Sequence, residues 1–528
     1  MKTYDVTDIS HIEINDEFKA AFDRLEHTGR NIFITGKAGT GKSTFLHYFR
    51  RNSKKNLVVL APTGVAAVNI KGQTIHSFFN FKPDITPDGV AKVRVLQHMR
   101  RVYEKLQMII IDEVSMVRAD MIDCVDAFLK LHGNPKLPFG GVQMVFVGDL
   151  YQLSPVVRAD ERSIFSTVYR SPYFFDARIL KAADLDLLEF ERNYRQKDNT
   201  FIGLLNRIRT NTLEQEHLDI FNERCQPDFQ PKKDEFVVYL TTTNDLADTL
   251  NTQRLHELTT ELFLHDGVIS GEFDAKILPT QERLELRVGA QVIFLNNDPN
   301  RRWVNGTIGK VIDIATDGYD VPVIQIELFS GERVEVEPFT WEIFKFFYNE
   351  ETGAIESDVI GTFRQLPLKL AWAVTIHKSQ GKTFDRVIID IGRGAFCHGQ
   401  IYVALSRCTT LDGIILKRPI SRQDIFTDKR IAEFLTRCQY RAAERGFPLD
   451  ARRKILETAI LDEKSLEILY LKENGEKNRL TITPRCLRSI EYNQESCQGV
   501  EAFCHKRQTH VIFRLNCILE LKEAVPFG

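Results

Sequence analysis

The stretch Gly36-Lys37-Ala38-Gly39-Thr40-Gly41-Lys42-Ser43 constrains this chain more than any other, because it stands between the apolar run Asn31-Ile32-Phe33-Ile34-Thr35 and the helix-forming Thr44-Phe45-Leu46-His47-Tyr48-Phe49. A glycine-rich loop leaving a buried strand and opening a helix fits the Walker A pattern. Its glycines let backbone N–H groups close around phosphate oxygens, and the helix amino terminus adds a favourable dipole. Lys42 is spaced to reach the β- and γ-phosphates and Ser43 to ligate Mg²⁺. The pattern therefore predicts that Gly36, Ala38, Gly39, Thr40, Gly41, Lys42, Ser43 and Thr44 hold a nucleoside triphosphate.

The surrounding pattern agrees with that loop. Phe18, Phe22 and Leu25 recur at helical spacing ahead of the first apolar run. Further short apolar runs follow at 57–60, 108–111 and 144–147, separated by segments long enough for crossover helices. This is α/β order with a largely parallel sheet. A second set at 236–240, 387–391 and 414–416 predicts another α/β lobe. Between about Leu284 and Trp341 the period changes to alternation with Asn305-Gly306 and Ser330-Gly331 as turn signals, which predicts a small antiparallel barrel. Short alternating strands resume after Ala451.

The run Met108-Ile109-Ile110-Ile111-Asp112-Glu113 ends a buried strand in adjacent carboxylates, the Walker B arrangement. Successive side chains of a strand point to opposite faces, so the two can serve different tasks. Asp112 is expected to support Mg²⁺, and Glu113 to orient or deprotonate the attacking water, giving ATP hydrolysis rather than binding alone.

Composition bounds the partners. Of 528 residues, 43% are apolar and 27% charged, and the formal net charge is −2, so binding to phosphates must use local patches. No apolar stretch reaches the roughly 18 residues of a membrane span, and the segment from Met1 to Asp5 has no basic leader, so a cytoplasmic protein is expected. The nine cysteines include no Cys-x-x-Cys pair. The irregular spacing of Cys486, Cys497, Cys504 and Cys517 favours reduced thiols over zinc, despite the adjacent Cys504-His505.

In order along the chain come Ala61-Pro62-Thr63-Gly64-Val65-Ala66-Ala67, Gly72-Gln73-Thr74-Ile75-His76-Ser77-Phe78-Phe79 and Asp112-Glu113-Val114-Ser115-Met116. Gly148-Asp149-Leu150-Tyr151-Gln152-Leu153-Ser154-Pro155-Val156 and Asn193-Tyr194-Arg195-Gln196 follow. Thr375-Ile376-His377-Lys378-Ser379-Gln380-Gly381-Lys382-Thr383 and Tyr402-Val403-Ala404-Leu405-Ser406-Arg407-Cys408-Thr409 complete the set. This series resembles the motifs of the petite integration frequency (Pif-one) helicases, across most of residues 30 to 425. The resemblance implies superfamily-one chemistry of the 5′-to-3′ class, with ATP and Mg²⁺ between two RecA-like P-loop lobes. It implies that Gln152 senses the γ-phosphate, that Gly381 lines the nucleotide site, and that Arg195 and Arg407 reach across from the second lobe as arginine fingers. It implies DNA contacts at Thr63, Gly64 and His76 on the first lobe and at Thr375, His377 and Lys378 on the second. Phe78, Phe79 and Phe81 are open to two readings, stacking on bases or packing in a core. The family often carries an adenine-reading glutamine before Walker A, and the segment from His11 to Arg30 has none. ATP is the expected nucleotide, with other nucleoside triphosphates admitted.

The alternating segment resembles the family's Src-homology-like barrel, expected to clamp DNA. Leu466-Glu467-Ile468-Leu469-Tyr470, Arg479-Leu480-Thr481-Ile482-Thr483-Pro484 and Phe513-Arg514-Leu515 resemble a WYL domain, whose tyrosine and arginines make Tyr470, Arg479 and Arg514 candidate ligand or nucleic-acid contacts. Val511 and Cys517 stand where that family usually has arginine. The expected organisation is a first lobe over 1–188 with a small insertion near 77–100. A second lobe over 189–283 and 359–440, a barrel over 284–358 and a WYL-like module over 451–528 complete it. The expected function is an ATP-dependent 5′-to-3′ DNA helicase, monomeric when free, acting on single-stranded DNA and on tailed or structured duplexes. A RecD-like single-strand translocase and a nucleotide-gated nucleic-acid-binding regulator are the alternatives.

Overall fold

A computed structural model describes residues 14–523 apart from 158–160, 195, 197, 233–234, 301, 317–320, 393, 396, 473–474 and 493–494. The chain divides into two compact units, one of Met1–Asp184 with Leu188–Phe426 and one of Leu185–Leu187 with Thr427–Gly528.

The first lobe is a six-stranded sheet of β1 (Asn31–Gly36), β2 (Leu57–Ala61), β3 (Gln73–Thr74), β4 (Met108–Ile111), β5 (Gln143–Val147) and β6 (Leu185–Phe190), in the order β3-β2-β4-β5-β1-β6. The pairs β2–β3, β2–β4, β4–β5 and β1–β5 are parallel. Their apolar runs are buried on both faces, as strands covered by crossover helices require. Ile32, Ile34, Val59, Ile110 and Val145 pack with Phe45 and Phe49 of the helix Lys42–Asn52 and with Phe18, Ala21 and Leu25 of the helix Asp16–His27. Asn15 starts that last helix by accepting the Phe18 N–H at 2.8 Å, a cap contributing about 1 kcal/mol. Because β5 lies between β1 and β4, the loop after β5 stands between the glycine-rich loop and Asp112-Glu113. Gly148, at the end of β5, lies so near Val114 that a Cβ would sit 3.1 Å from its backbone nitrogen.

After β7 (Val238–Thr241) the chain leaves a second sheet for a series of antiparallel strands. These are β8 (Phe263–Asp266), β9 (Val268–Gly271), β10 (Arg283–Leu286), β11 (Gln291–Phe294), β12 (Ile308–Thr316), β13 (Pro322–Leu328), β14 (Arg333–Val336), β15 (Phe339–Asn349), β16 (Ala354–Gln365) and β17 (Leu368–Leu370). It then returns with β18 (Ala373–Thr375), β19 (Val387–Asp390) and β20 (Ile414–Leu416). The returning strands and β7 form a parallel sheet in the order β18-β7-β19-β20. The antiparallel set β14-β13-β12-β11-β17 has its own core around Val292, Phe294, Trp303, Ile324 and Val336.

Three boundaries differ from those expected. The antiparallel insertion begins before 284 and ends after 358, because β8 pairs with β10 and β17 completes the sheet alongside β11. Residues 359–371 therefore belong to the insertion rather than to the second lobe. The second compact unit begins at Thr427, since the amphipathic helix Lys429–Gly446 packs with the strands that follow it rather than closing the lobe before it. Within the region near 77–100, Phe78, Phe79 and Phe81 are buried against Tyr103 and Phe128. That removes the stacking reading, because a base cannot reach a ring enclosed by other rings.

The long β15–β16 hairpin reaches back to the first lobe. Phe346 stands edge-on to Phe78 at 6.0 Å, and Asn56 accepts from the Ile355 N–H at 3.0 Å while donating to the Gly353 carbonyl at 3.3 Å.

The second unit carries a five-stranded antiparallel sheet of β21 (Leu466–Leu471), β22 (Lys477–Tyr492), β23 (Glu495–Cys504), β24 (Thr509–Arg514) and β25 (Ile518–Glu523), in the order β24-β23-β22-β21-β25. Its inner face packs Ile468, Leu480, Ile482, Val500 and Phe513 against Leu456 and Ala459 of the helix Leu449–Leu461.

Candidate active site

Parallel α/β sheets bind ligands beyond the carboxyl ends of their strands, and a cavity of about 710 Å³ opens there in the first sheet. Ala38 to Thr44, Asp112, Glu113, Gly148 and Gln152 line it from the first lobe, and Gly381, Thr383 and Arg407 from the second. Gly39 and Gly41 have φ of 84° and 81°, which the turn into the helix Lys42–Asn52 requires and which residues with a Cβ seldom adopt. The Lys42 ammonium lies inside this loop, donating to the carbonyls of Gly36 at 2.7 Å and Lys37 at 3.0 Å. Burial lowers its pKa, while Asp149 and Glu113 pull the other way.

Asp112 is buried and accepts the Glu113 N–H at 2.9 Å. Burial raises its pKa, partly opposed by that hydrogen bond and by Lys42. Glu113 has φ 49° and ψ 42°, a left-handed conformation costing about 1–3 kcal/mol in a non-glycine residue. The conformation is tolerated where the carboxylate meets the second lobe, since Gln380 donates to its Oε2 at 3.1 Å. Burial and the nearby Asp112 push the Glu113 pKa up to about 7, with Lys42 and Arg407 opposing. A carboxylate poised near neutrality suits proton abstraction from water.

The two lobes meet through polar contacts that sequence reasoning missed. Tyr402 accepts the Ala38 N–H at 3.3 Å and donates to Asp149 at 3.3 Å. Asp149 also accepts from Gln152 Nε2 at 3.4 Å and pairs with the buried Arg209 at 3.4 Å, whose guanidinium covers the Tyr151 ring at 4.3 Å. Burial works against the Arg209 charge, but Asp149, Tyr402 and Tyr151 more than offset it and raise its pKa. Arg209 lies on the helix Asn199–Thr210, where nothing in one sequence separates it from a solvated arginine. Gly399, at the start of the helix Gln400–Leu405, lies so close to Tyr151 and Gln152 that a Cβ would meet both carbonyls at 2.4 Å.

Arg407 is 1% exposed and lines the cavity, its guanidinium oriented by Val403 O at 2.9 Å, Ser379 O at 3.3 Å, Lys382 O at 3.2 Å and Ser406 Oγ at 2.9 Å. Arg195 lies outside the described residues. Its neighbours Asn193 and Gln196 bond Ala38 O at 3.3 Å and Ser406 O at 3.2 Å, so their segment links the glycine-rich loop to the turn that carries Arg407.

The expected DNA contacts form two groups. Thr63 is exposed and caps the helix Gly64–Asn69 by accepting the Ala66 N–H at 3.3 Å, and Gly64 lies directly beneath Ile277 of the insertion. His76 is half-buried, and burial lowers its pKa, with Asp120 opposing. On the second lobe Thr375 is buried and accepts the Lys378 N–H at 3.2 Å, His377 has its pKa lowered by burial, and Lys378 is exposed. Two further lysines join Lys378. Burial and Lys378 lower the pKa of Lys369, with Asp248 opposing, and burial and Lys369 push Lys382 down to about 8. The Asn305-Gly306 turn packs on Lys382, where a Cβ on Gly306 would stand 3.2 Å from the lysine Cβ. The insertion and second lobe thus concentrate three like charges, a grouping hidden in the sequence by the separation of Lys369 from the motif.

In the second unit Tyr470 packs edge-on to Phe513 at 5.2 Å, with Arg514 and Cys517 close beside it. Arg514 also stacks over Tyr492 at 3.8 Å. Arg479 is opposite Leu469 in the register, on the other face of the sheet from Tyr470, and pairs with Glu467 at 3.3 Å and Glu520 at 3.4 Å. The three candidates therefore do not form one surface. Cys504 is buried, and His505 is hydrogen-bonded to Thr483 Oγ1 at 2.8 Å. Among the described residues no group of three or more His, Cys, Asp and Glu side chains is arranged to hold a metal ion, and no helix is long and apolar enough to cross a membrane. The donors the cleft does offer, the Asp112 carboxylate and the Ser43 hydroxyl, suit Mg²⁺, which keeps waters and phosphate oxygens as its other ligands.

Comparison with known proteins agrees with this geometry. The family model described as PIF1-like helicase matches residues 13–218. The "ATP-dependent DNA helicase Pif1" of Bdellovibrio bacteriovorus is 32% identical over 419 residues, covering 77% of this chain and 88% of that protein. The rat "ATP-dependent DNA helicase PIF1" is 33% identical over 409 residues, covering 75% of this chain and 60% of that protein, so the chain spans less than two thirds of the longer relative. A crystal structure of Bacteroides Pif1 with ADP-AlF4 superposes with a TM-score of 0.74 at 35% identity, covering 80% of this chain and 96% of that one. Another, of Bacteroides Pif1 bound to single-stranded DNA, gives 0.56 at 35% identity over 82% and 97%. With a nucleotide cleft, the motif order and a bacterial relative matched over 88% of its length, the chain belongs to the PIF1-like helicase family of ATP-dependent DNA helicases.

Proposed function

We propose that this ATP-dependent DNA helicase moves 5′-to-3′ along single-stranded DNA and opens tailed or structured duplexes ahead of it. The observation that carries the reading is the meeting of both lobes on one nucleotide cavity, where Glu113 bonds Gln380 and the Ala38 amide bonds Tyr402. In this reading the glycine-rich loop and Lys42 bind the phosphates, and Asp112 and Ser43 hold Mg²⁺, which would neutralise charge on the phosphates. Glu113 takes a proton from water, Gln152 senses the γ-phosphate, and Arg407, joined by Arg195, stabilises transition-state charge. Stacking in duplex DNA is worth about 1.4 kcal/mol per step, so progressive opening needs coupled turnover.

The track for DNA runs past Thr63, Gly64 and His76 and on to Thr375, His377 and Lys378, extended by Lys369 and Lys382. Bacteroides Pif1 has been solved bound to single-stranded DNA, and a further Pif1 structure concerns DNA unwinding at forked duplex. One of them describes two coordinating Pif1 helicases on a fork, while this chain is read as a monomer when free. The antiparallel insertion is read as a Src-homology-like clamp, supported by its separate core, and the second unit as a WYL-like module whose ligand face carries Tyr470 and Arg514.

Strand displacement on duplexes with a 5′ or a 3′ single-stranded tail tests the proposal. Opening of the 5′-tailed substrate alone, dependent on ATP, is expected. Opening only from the 3′ tail overturns the polarity. ATP-driven movement on single strands without any opening favours the translocase reading, and the absence of DNA-stimulated turnover favours the regulator.

A further inference from the structure

The loop after β5 carries Gln152 into the nucleotide cavity, and the second lobe holds that loop at each residue from Asp149 to Gln152. His398 Nε2 meets the Leu150 carbonyl at 3.1 Å. Gly399 lies against the carbonyls of Tyr151 and Gln152, where a Cβ would stand 2.4 Å from each. Asp149 is held through its side chain. Its Oδ2 accepts from the Tyr402 hydroxyl at 3.3 Å and from Gln152 Nε2 at 3.4 Å, and its Oδ1 accepts the Tyr151 N–H at 3.1 Å and Arg209 Nη2 at 3.4 Å. The helices that bear Arg209 and Tyr402, Asn199–Thr210 and Gln400–Leu405, pack on one another. One carboxylate thus joins the carboxamide in the cavity to two side chains of the second lobe.

Those two side chains are placed to hold rather than to react. Arg209 and Tyr402 are 7% and 4% exposed, behind the residues that line the cavity. Burial and the neighbouring Asp149 push the Tyr402 pKa up, so its hydroxyl keeps the proton it donates. The same oxygen accepts the Ala38 N–H at 3.3 Å, which ties the glycine-rich loop into the connection. A carboxylate only accepts hydrogen bonds, so Asp149 turns the nitrogen of the Gln152 carboxamide toward itself. That nitrogen carries two hydrogens, and the one that Asp149 does not take is a donor suited to a phosphate oxygen.

Resting on the reading of Gln152 as the γ-phosphate sensor, we infer that Arg209 and Tyr402 are positioning residues that hold Gln152, through Asp149, in its sensing orientation when the second lobe closes on the first. Neither touches the nucleotide. Closure of the lobes and recognition of the γ-phosphate are in this way one event, because the second lobe supplies the side chains that orient a sensor carried by the first.

The test measures the affinity of the full chain for ADP alone and for ADP with aluminium fluoride, both with Mg²⁺ and saturating single-stranded DNA. ADP-AlF4, with which Bacteroides Pif1 has been crystallised, fills the γ-phosphate position, so its gain in affinity over ADP reads what Gln152 recognises. The proteins compared are the wild type, Gln152→Ala, Tyr402→Phe, Arg209→Gln, Asp149→Asn and the double variant of the last two. Tyr402→Phe and Arg209→Gln are each expected to cut the gain about tenfold to a hundredfold, the loss of a hydrogen bond to a charged group, while ADP affinity stays within about threefold. Tyr402→Phe keeps the ring and its packing, so this arm decides the matter if Arg209→Gln, which leaves a buried carboxylate uncompensated, fails to fold. The double variant is expected to lose no more of the gain than the worse of its two single variants, since both act through one ion pair. Equal losses for ADP and ADP-AlF4 mark a structural brace and overturn the inference, as do an undiminished gain in Tyr402→Phe and losses that multiply in the double variant. Gln152→Ala separates the two ways of failing. If it cuts the gain and Tyr402→Phe does not, the inference alone is wrong; if it leaves the gain intact, the sensing role of Gln152 falls and takes the inference with it.

Discussion

The nucleotide cleft and the carboxyl-terminal sheet contain similar polar side chains and use them in opposite ways. In the cleft, Lys42, Asp112, Glu113, Asp149, Arg209 and Arg407 are drawn out of water into one network, and Glu113 is held in a left-handed backbone conformation. In the terminal sheet Arg479 stays exposed and is answered by Glu467 and Glu520, an arrangement contributing about 0–1 kcal/mol. Burying charge without full compensation costs stability, and a fold keeps such an arrangement where it performs chemistry. Neutralised surface pairs carry no such signature, so the two regions should respond very differently to substitution.

The largest difference is expected at Arg407. Arg407→Lys retains a positive charge but cannot reproduce bonds to four oxygens. DNA-stimulated kcat should fall by about 10³-fold or more, while circular dichroism reports a folded protein. Retention of a tenth of wild-type turnover would remove Arg407 from the reaction and leave it as an internal brace.

A smaller effect is expected along the DNA track. Lys382→Met removes one unneutralised ammonium from the group containing Lys369 and Lys378. The slope of log affinity for single-stranded DNA against log salt should flatten by about 0.7, with kcat at saturating DNA unchanged. An unaltered slope would take Lys382 off the phosphate path.

The smallest effects are expected in the terminal sheet, whose two faces can be compared directly. Arg514→Ala, beside Tyr470, should weaken single-strand affinity about two- to threefold, the loss of one modest phosphate contact. Arg479→Ala should leave both affinity and melting temperature unchanged, because its charge is already matched. A larger loss at Arg479 than at Arg514 would move the ligand surface to the opposite face.

The same contrast explains what could be read from sequence. The loop from Gly36 to Ser43 and the Asp112-Glu113 pair are local devices, each written within a few residues between a strand and a turn, and the structure brings them to one cavity. The Asp149–Arg209–Tyr402 connection joins residues up to 253 positions apart, and no local pattern marks them as partners. The insertion was legible from its alternation between 284 and 341, but the short strands β8, β9 and β17 offer too few residues to establish a period. Arg479 and Tyr470 lie close in register yet on opposite faces, a distinction that depends on which strand pairs with which.

The pH dependence of DNA-stimulated ATP turnover, measured for the wild type and Glu113→Gln, tests the central claim most directly. A general base must be deprotonated, so wild-type kcat/KM should rise with pH and level off above the Glu113 pKa of about 7. Glu113→Gln should still bind nucleotide and Mg²⁺ while losing about 10²- to 10⁴-fold in turnover along with that acidic limb. Substantial turnover by Glu113→Gln with the same pH profile as the wild type would contradict the assignment of Glu113 as the base and with it the chemistry read from the cleft.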